Sequence, residues 1–598
     1  MNYRRVKTAV ALFLAIGPLC VQALEVIRFE PTKGDRMPEL RAALEQVKDR
    51  DVKLVFAAGE YRFRPDFALH RYCYITNHDN GLKNIAFLFD GFDSVEIEGN
   101  GSEFIFHGQM FPFRFENCSR VTVKDVVVDW DIPFCFQGEV VAVNEEEGWR
   151  EIKPATDGFS WTIRNNHLRF PDIDGFSYNL VGSTLAFNKE TKEVAYGAWD
   201  FTSQPEKVQK LKNGNLRFYE KLKHWPKVGQ ILNSKGKKNR YAPAFQGISS
   251  SNLLFENVVI HHALGMGFLL ERCDTGTIRG GGVYVREGSE RVVSIIADGT
   301  HFANCKGEIL VENARFKGML DDSTNVHGTY VEVDKVLDQH SVRVRLMHFQ
   351  QLGFEFAGVG DECWFIHHPD PSRGEVNTVS RVKVLNDRFI ELTFTNPVPG
   401  KLKKGDVLEN KTWNPTFTMR GNHFEKHRAR NVVIKTPRPI LIENNDFSSH
   451  MSAVFLRGET FHWFESGAVE DVLIQHNRFK DCASSGMEHA VLNVTPRLGK
   501  TFDDTIPYDR NIRFINNTIE TFDNRIVWLD RVDGFVFKGN TIKQTDTFKP
   551  MRDAYLFDLK NCRHVEISGN TYIGKNKKGV LADGATKPTL SVKDNRGF

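Results

Sequence analysis

Short β-type runs that close on asparagine recur along this chain, and their spacing restricts the fold more than any other feature. They include Val95-Glu-Ile-Glu-Gly-Asn100, Leu253-Leu-Phe-Glu-Asn257, Ile309-Leu-Val-Glu-Asn313, Phe417-Thr-Met-Arg-Gly-Asn422, Ile440-Leu-Ile-Glu-Asn-Asn445, Val472-Leu-Ile-Gln-His-Asn477, Ile512-Arg-Phe-Ile-Asn-Asn517, Phe535-Val-Phe-Lys-Gly-Asn540 and Val565-Glu-Ile-Ser-Gly-Asn570. Most alternate apolar and polar side chains before a residue that tolerates left-handed backbone angles. Asn422 to Asn445 and Asn517 to Asn540 are both steps of 23 residues, and Asn540 to Asn570 is 30. A period this short marks a solenoid, in which each unit buries its apolar face only against its neighbours. Almost no segment of helical period separates the runs, which excludes an alternating α/β fold. An immunoglobulin-like array has no one-coil step this short. The sequence therefore predicts an all-β chain, a right-handed parallel β-helix with asparagine at one corner.

Two gaps interrupt the period. Asp125 to Asn257 is 132 residues and Asn313 to Asn422 is 109, and both contain alternating strands such as Gly138-Glu-Val-Val-Ala-Val143 and Val342-Arg-Val-Arg-Leu346. Each gap has room for an inserted β-barrel-like module, and insertions of this kind sit over one face of a solenoid. The expected order is a signal peptide at 1–23, coils with a capping helix at 24–139 and module 1 at 140–243. Coils with the catalytic aspartates follow at 244–327, then module 2 at 328–412 and the last coils at 413–598. Pro38 to Lys48 has helical periodicity, and a helix there would block edge pairing at the open end. Exposed insertions also offer a surface for a homodimer.

The amino end reads as a secretory signal, with Arg4, Arg5 and Lys7 before the apolar run Thr8 to Leu19 and the small-residue site Val21-Gln-Ala23. No stretch is long and apolar enough to span a bilayer, so the expected location is periplasmic or extracellular. The chain carries a formal charge of +3, which the three basic residues of the leader account for. A neutral mature chain has no electrostatic basis for binding nucleic acid or an anionic membrane. The basic run Lys235-Gly-Lys-Lys-Asn-Arg240 reads as a solvated loop. Cys20 aside, eight cysteines remain. Cys118, Cys273, Cys305 and Cys562 occupy like places in the repeat, which suggests buried thiols rather than disulfides. No ligand spacing indicates a metal site, and no cofactor is expected.

Chemistry concentrates in Ile295-Ile-Ala-Asp298-Gly and Gly318-Met-Leu-Asp321-Asp322-Ser-Thr-Asn-Val-His327-Gly. Asp298 and Asp321 are 23 residues apart, one coil, and would stack about 4.8 Å apart with Asp322 beside them. Clustered carboxyls raise one pKa and leave another ionised, which is what acid/base glycoside hydrolysis requires. Asn325 and His327 are candidates for binding sugar hydroxyls. Trp463 and Glu465, in an aromatic loop, offer a stacking surface and a polar contact. Asp129, Trp130 and Asp131 precede the first insertion and would line the same cleft. Arg430 and Arg457 would be carboxylate partners or ligand contacts.

These residues resemble a known family. Leu320-Asp-Asp-Ser-Thr-Asn-Val-His327, the upstream Asp298-Gly, Val128-Asp-Trp-Asp131, Arg428-Ala-Arg430 and Pro437-Arg-Pro-Ile-Leu-Ile-Glu-Asn-Asn-Asp446 are similar to glycoside hydrolase family 110, the α-1,3-galactosidases. The resemblance covers essentially the whole mature chain. It implies an inverting, metal-independent exo-hydrolase acting on terminal α-1,3-linked galactose, as in blood group B-type glycans. By position it makes Asp321 the general acid and puts Asp298 and Asp322 on the base side. A β-helix polysaccharide lyase is the main alternative, opposed by three aspartates without a nearby basic pair. A non-catalytic carbohydrate-binding solenoid is the other.

Overall fold

The computed structural model describes residues 25–597 apart from 487, 523–524, 551–554 and 576–577. The expected signal peptide lies outside the described residues. Strand Glu25–Phe29 pairs in parallel with Asp51–Phe56, and between them helix Met37–Glu45 turns Met37, Leu40 and Ala43 inward to close the first coil.

Two parallel sheets form the walls of a β-helix. One inward-facing column runs Val95, Val121, Leu253, Gly276, Ile309, Phe417, Ile440, Val472, Ile512, Phe535, Val565, Leu590 in unbroken register. The second wall carries Phe113, Phe245, Phe268, Thr300, Thr324, Val432, Val454, Leu492 and Val527. Between the walls, rings stack at the rise of one coil. Phe316, Phe424, Phe447, Phe479, Phe514 and Phe537 follow one another at 5.1, 4.8, 4.9, 5.4 and 5.2 Å.

The asparagines form a ladder inside the corner. The side-chain oxygen of Asn445 accepts from both the backbone and the side-chain nitrogen of Asn422, each at 2.9 Å. The same pair of contacts joins Asn445 to Asn477, Asn477 to Asn517, Asn517 to Asn540 and Asn540 to Asn570. The residues just before the ladder, such as Asn444, His476 and Asn516, take φ near +55°, and this turns the chain at each corner.

Both gaps hold antiparallel sheet. Strands from Phe136 to Ser234 form a seven-stranded sheet, and a three-stranded sheet at Thr162–Tyr178 packs on it through Phe136, Trp161 and Phe170. In the second gap, strand Thr324–Val336 leaves the coil and closes a six-stranded barrel with Ser341–Arg345, Phe389–Phe394, Val376–Val384, Glu362–Ile366 and Val407–Asn410. All eight described cysteines are free and buried. Several thiols donate across a coil, as Cys305 does to the Leu270 carbonyl at 3.3 Å. No helix among the described residues is long and apolar enough to cross a membrane.

Candidate active site

Parallel pairing of Thr300–Ala303 with Thr324–His327 fixes the site. The Gly299 amide donates to the Asp322 carbonyl at 2.8 Å, so the coil partner of Asp298 is Asp322, 24 residues on. This corrects the expected stacking of Asp298 on Asp321. The segment before Asp322 carries one residue more than a regular coil, and Asp321 takes the adjacent place. A Cβ on Gly299 would meet the Ser323 carbonyl at 2.7 Å and the Phe316 ring at 3.1 Å, so the Asp298-Gly pair is what lets the two coils close.

The three carboxyls share one polar pocket of about 320 Å³, with Asn325, Trp463, Glu465 and Asp200 also in its lining. One oxygen from each aspartate lies within 4.8 Å of the other two. Such crowding requires counter-charge. Asp322 accepts from the Arg430 backbone amide at 3.0 Å and from its guanidinium at 2.7 Å. Asp321 accepts from Arg428 at 2.9 Å and from Arg240. Ala429 lies between the two arginines at φ +78°. That left-handed turn is uncommon for a residue with a Cβ, and it sends both flanking guanidinium groups to neighbouring carboxylates. Arg428 also holds Asp200 at 2.8 Å, which module 1 brings to the pocket.

These surroundings divide the three groups. Burial and the charge of Asp321 push Asp298 up to about 8. Burial outweighs Arg430 and raises Asp322 to about 6. Burial alone would raise Asp321 too, but Arg428, Arg240, Arg430 and Lys235 hold it well below the usual carboxylate range. Burial and neighbouring charge thus favour a neutral Asp298 beside an ionised Asp321.

Behind Asp298, His301 Nδ1 lies 2.7 Å from Oδ2 of the carboxyl. His301 Nε2 lies 2.8 Å from His327 Nε2, and Glu465 is paired with Lys435, which also reaches Asn325 Oδ1 at 3.3 Å. Two groups, Asp298 with Asp321 and Asp322 and His301 with His327 and Glu465, bring three ligand-type atoms within reach of one point. In the first, arginines engage Asp321 and Asp322 and His301 engages Asp298; in the second, the ring nitrogens are committed to each other and Glu465 to Lys435.

The pocket thus gathers Asp298, Asp321, Asp322, Asn325, Arg430, Trp463 and Glu465, with His327 in the layer behind. It does not gather the others. Asp129 is buried between Arg286 and Arg291, both at 2.6 Å, and the Trp130 indole donates to the Gly108 carbonyl. Asp131 pairs with His107 at 2.8 Å. All three are engaged in the other wall, so the expectation that they line the cleft is corrected. Arg457 donates to the Thr495 carbonyl at 2.7 Å and lies over Phe455, one coil beyond the pocket.

Lys235 and Arg240 are the opposite case. The run expected to be a solvated loop places both against Asp321, and it supplies the nearby basic pair whose supposed absence opposed a lyase. Arg240 is ion-paired to Asp321, and Lys235, whose charge burial disfavours, reaches the Ile296 carbonyl at 3.5 Å, so neither stands free to neutralise a uronate. His301 belongs to the site although no sequence expectation includes it, and its signal is that Asp298-Gly-Thr-His301 repeats as Asp322-Ser-Thr-Asn325. That internal match signals both the 24-residue register and a functional place for position 301.

Clustered carboxyls of split acidity, in a pocket on a β-helix wall, define a glycosidase. The chain matches family models described as GLAA-B beta-barrel domain I at residues 136–232, GLAA-B beta-barrel domain II at 341–408 and right handed beta helix region at 407–596. It is 32% identical over 563 residues to Alpha-1,3-galactosidase A of Shewanella woodyi, covering 92% of this chain and 90% of that one. It is 31% identical over 564 residues to Alpha-1,3-galactosidase B of Bacteroides thetaiotaomicron, covering 92% and 91%. The chain belongs to the α-1,3-galactosidase family.

Proposed function

We propose that this protein is an exported, exo-acting hydrolase that removes terminal α-1,3-linked galactose from glycans such as blood group B-type branched structures, with inversion. The observation that carries the reading is the pocket itself, where three aspartates of unlike acidity meet under a ring of hydrogen-bond donors. Its volume of about 320 Å³ is near the lower end of ligand sites, which run from ~300 Å³. That suits one terminal sugar rather than a polymer in transit, and so an exo mode. Dense charged donors suit a neutral, hydroxyl-rich ligand, and the Trp463 ring suits the apolar face of galactose. The basic, then apolar amino end supports export.

Asp321 is the general acid, and Asp298 with Asp322 holds the water. The resting pattern is the reverse of what this requires, with the proton on Asp298 and Asp321 held ionised by Arg240 and Arg428. Substrate hydroxyls that draw the two guanidinium groups away raise Asp321, which then takes up a proton from solvent as the general acid, while Asp298 has to give up its own proton to serve on the base side. The nearest oxygens, one from each aspartate, lie within 4.8 Å of one another, closer than the ~6.5–9.5 Å that leaves room for water between an inverting pair. Entry of sugar and water is expected to spread them.

Hydrolysis of defined linear and branched trisaccharides, with the first anomer followed by NMR, tests the proposal. Release of β-galactose first is expected. Release of α-galactose first overturns inversion, an unsaturated ultraviolet-absorbing product indicates a lyase, and sugar binding without turnover indicates a binding solenoid.

A further inference from the structure

Three hydrogen bonds run in series from Asp298 into the wall. Asp298 Oδ2 is 2.7 Å from His301 Nδ1, His301 Nε2 is 2.8 Å from His327 Nε2, and His327 Nδ1 is 2.7 Å from the Gly328 carbonyl. All are within hydrogen-bond length, so each contact needs one proton. The row ends on a carbonyl, which only accepts, and begins on a carboxylate, which only accepts unless protonated. Two neutral imidazoles bring two protons to three contacts. Without a third, two lone pairs face each other in a fully buried row.

The third proton has three satisfactory positions. On Asp298 it leaves both rings neutral, with protons on His301 Nε2 and His327 Nδ1. One contact further in, it makes His301 an imidazolium against ionised Asp298. Two contacts in, His327 is the imidazolium and His301 is neutral again in its other tautomer. His327 Nε2 lies 3.6 Å from Glu465 Oε1, a carboxylate placed to stabilise charge at the inner end.

We propose that the row is a proton relay, storing the proton of Asp298 on His301 and His327 so that Asp298 is ionised when it receives the proton of the attacking water. The Oδ2–H bond of Asp298 breaks as Nδ1–H forms on His301, and Nε2–H of His301 breaks as Nε2–H forms on His327. Asp298 gains one negative charge and His327 one positive. This rests on the reading of Asp298 as a base-side carboxyl.

Charges on every side set the balance. Asp321, Arg240, Glu465 and Arg430 face Asp298. Glu465, Lys435, Arg240 and Asp322 face His301, and His78, held neutral by burial, adjoins it. Burial pushes His301 down to about 4 and His327 to about 3, so the relay rests with its proton on Asp298. Positive charge developing on the galactosyl ring favours ionised Asp298 and drives the proton inward. His301 and His327 act through Asp298 and are positioning residues.

Two experiments on the mature enzyme test the relay. In histidine-¹⁵N NMR without substrate, three protons are expected in the row at roughly pH 6, on Asp298, His301 Nε2 and His327 Nδ1. Two protons only would overturn the proposal. His301→Gln is expected to lower kcat ~100-fold or more and His327→Gln by less, since the outer station serves every transfer. KM should stay within about threefold while the basic limb of the kcat–pH profile moves. Unchanged kcat, or an equal loss at every pH with a matching fall in Tm, would also overturn it. Absence of turnover in the unmodified enzyme would instead overturn the hydrolase reading, and the NMR count would still decide the row.

Discussion

The asparagine ladder and the aspartate pocket are built on the same geometry and meet opposite fates. Both place like polar groups at one-coil spacing in a buried position. In the ladder each amide accepts from one neighbour and donates to another, so Asn445, Asn477, Asn517 and Asn540 satisfy themselves. Carboxylates only accept, so Asp298, Asp321 and Asp322 cannot. They draw in Arg240 from module 1 and Arg428 and Arg430 from the next coil, and Asp298 keeps a proton. A stack of amides is structure; a stack of acids, forced to import charge, becomes chemistry.

The sharpest break in this contrast is to make an acid an amide. Asp321→Asn and Asp322→Asn should each lower kcat by ~10²–10⁴-fold, the worth of a positioned acid or base, with the melting transition retained. Removing imported charge should cost less. Arg240→Met takes one guanidinium from Asp321, and loss of a charge-assisted hydrogen bond predicts a fall in kcat/KM of roughly 10–100-fold. It also weakens what holds Asp321 ionised, so the pH limb set by Asp321 should move upward. A downward move would contradict the charge arrangement.

The same contrast explains what the sequence revealed. Ladder residues repeat, and Asn422, Asn445, Asn517 and Asn540 announce their coils by spacing alone. The barrel insertions were legible as gaps filled by alternating strands. Asp298, Asp321 and Asp322 were legible as a cluster because they sit on the repeat, although the register needed the match of Asp298-Gly-Thr with Asp322-Ser-Thr. The counter-charges were not. Arg240, Lys235 and Asp200 reach the pocket from an insertion, and no period relates an insertion to the coil it covers. Asp129 to Asp131 failed for the converse reason, since an acidic and aromatic string looks functional until Arg286, Arg291 and Gly108 are found beside it.

Asn477→Asp puts a carboxylate into the ladder without importing any charge. The Asn477 amide nitrogen donates to the carbonyls of Ile442 and Gln475, both at 2.9 Å, and to Asn517 Oδ1 at 3.1 Å. An ionised oxygen there would face three acceptors, so its pKa should rise. Stability should fall as pH climbs above the ordinary ~3.9 of aspartate, by ~3–5 kcal/mol once the group is charged. Asn477→Ala should cost a pH-independent ~1–3 kcal/mol, and neither change should alter kcat. Equal denaturation midpoints for Asn477→Asp at low and high pH would mean the ladder tolerates charge after all.

Asp298→Asn is the inverse exchange, and at acid pH its effect on stability should be the smallest of these. The group is raised from 3.8 to about 8 in the folded chain, so the native state holds a proton that the unfolded chain has released. Its contribution is complete below the unfolded value and is lost as pH rises through about 8. Asparagine cannot ionise, and its amide can donate to His301 Nδ1 as the protonated carboxyl does. Variant and parent should therefore melt within a degree or so of each other at acid pH, with the variant gaining a few degrees as pH rises from the unfolded value toward about 8, where the folded parent holds a proton that the unfolded chain has lost. Asp322, raised to about 6, remains in both proteins and sets the shared decline at lower pH. A gain for Asp298→Asn that is constant with pH would mean that Asp298 is already ionised at rest. The pocket would then hold its acids by arginine alone.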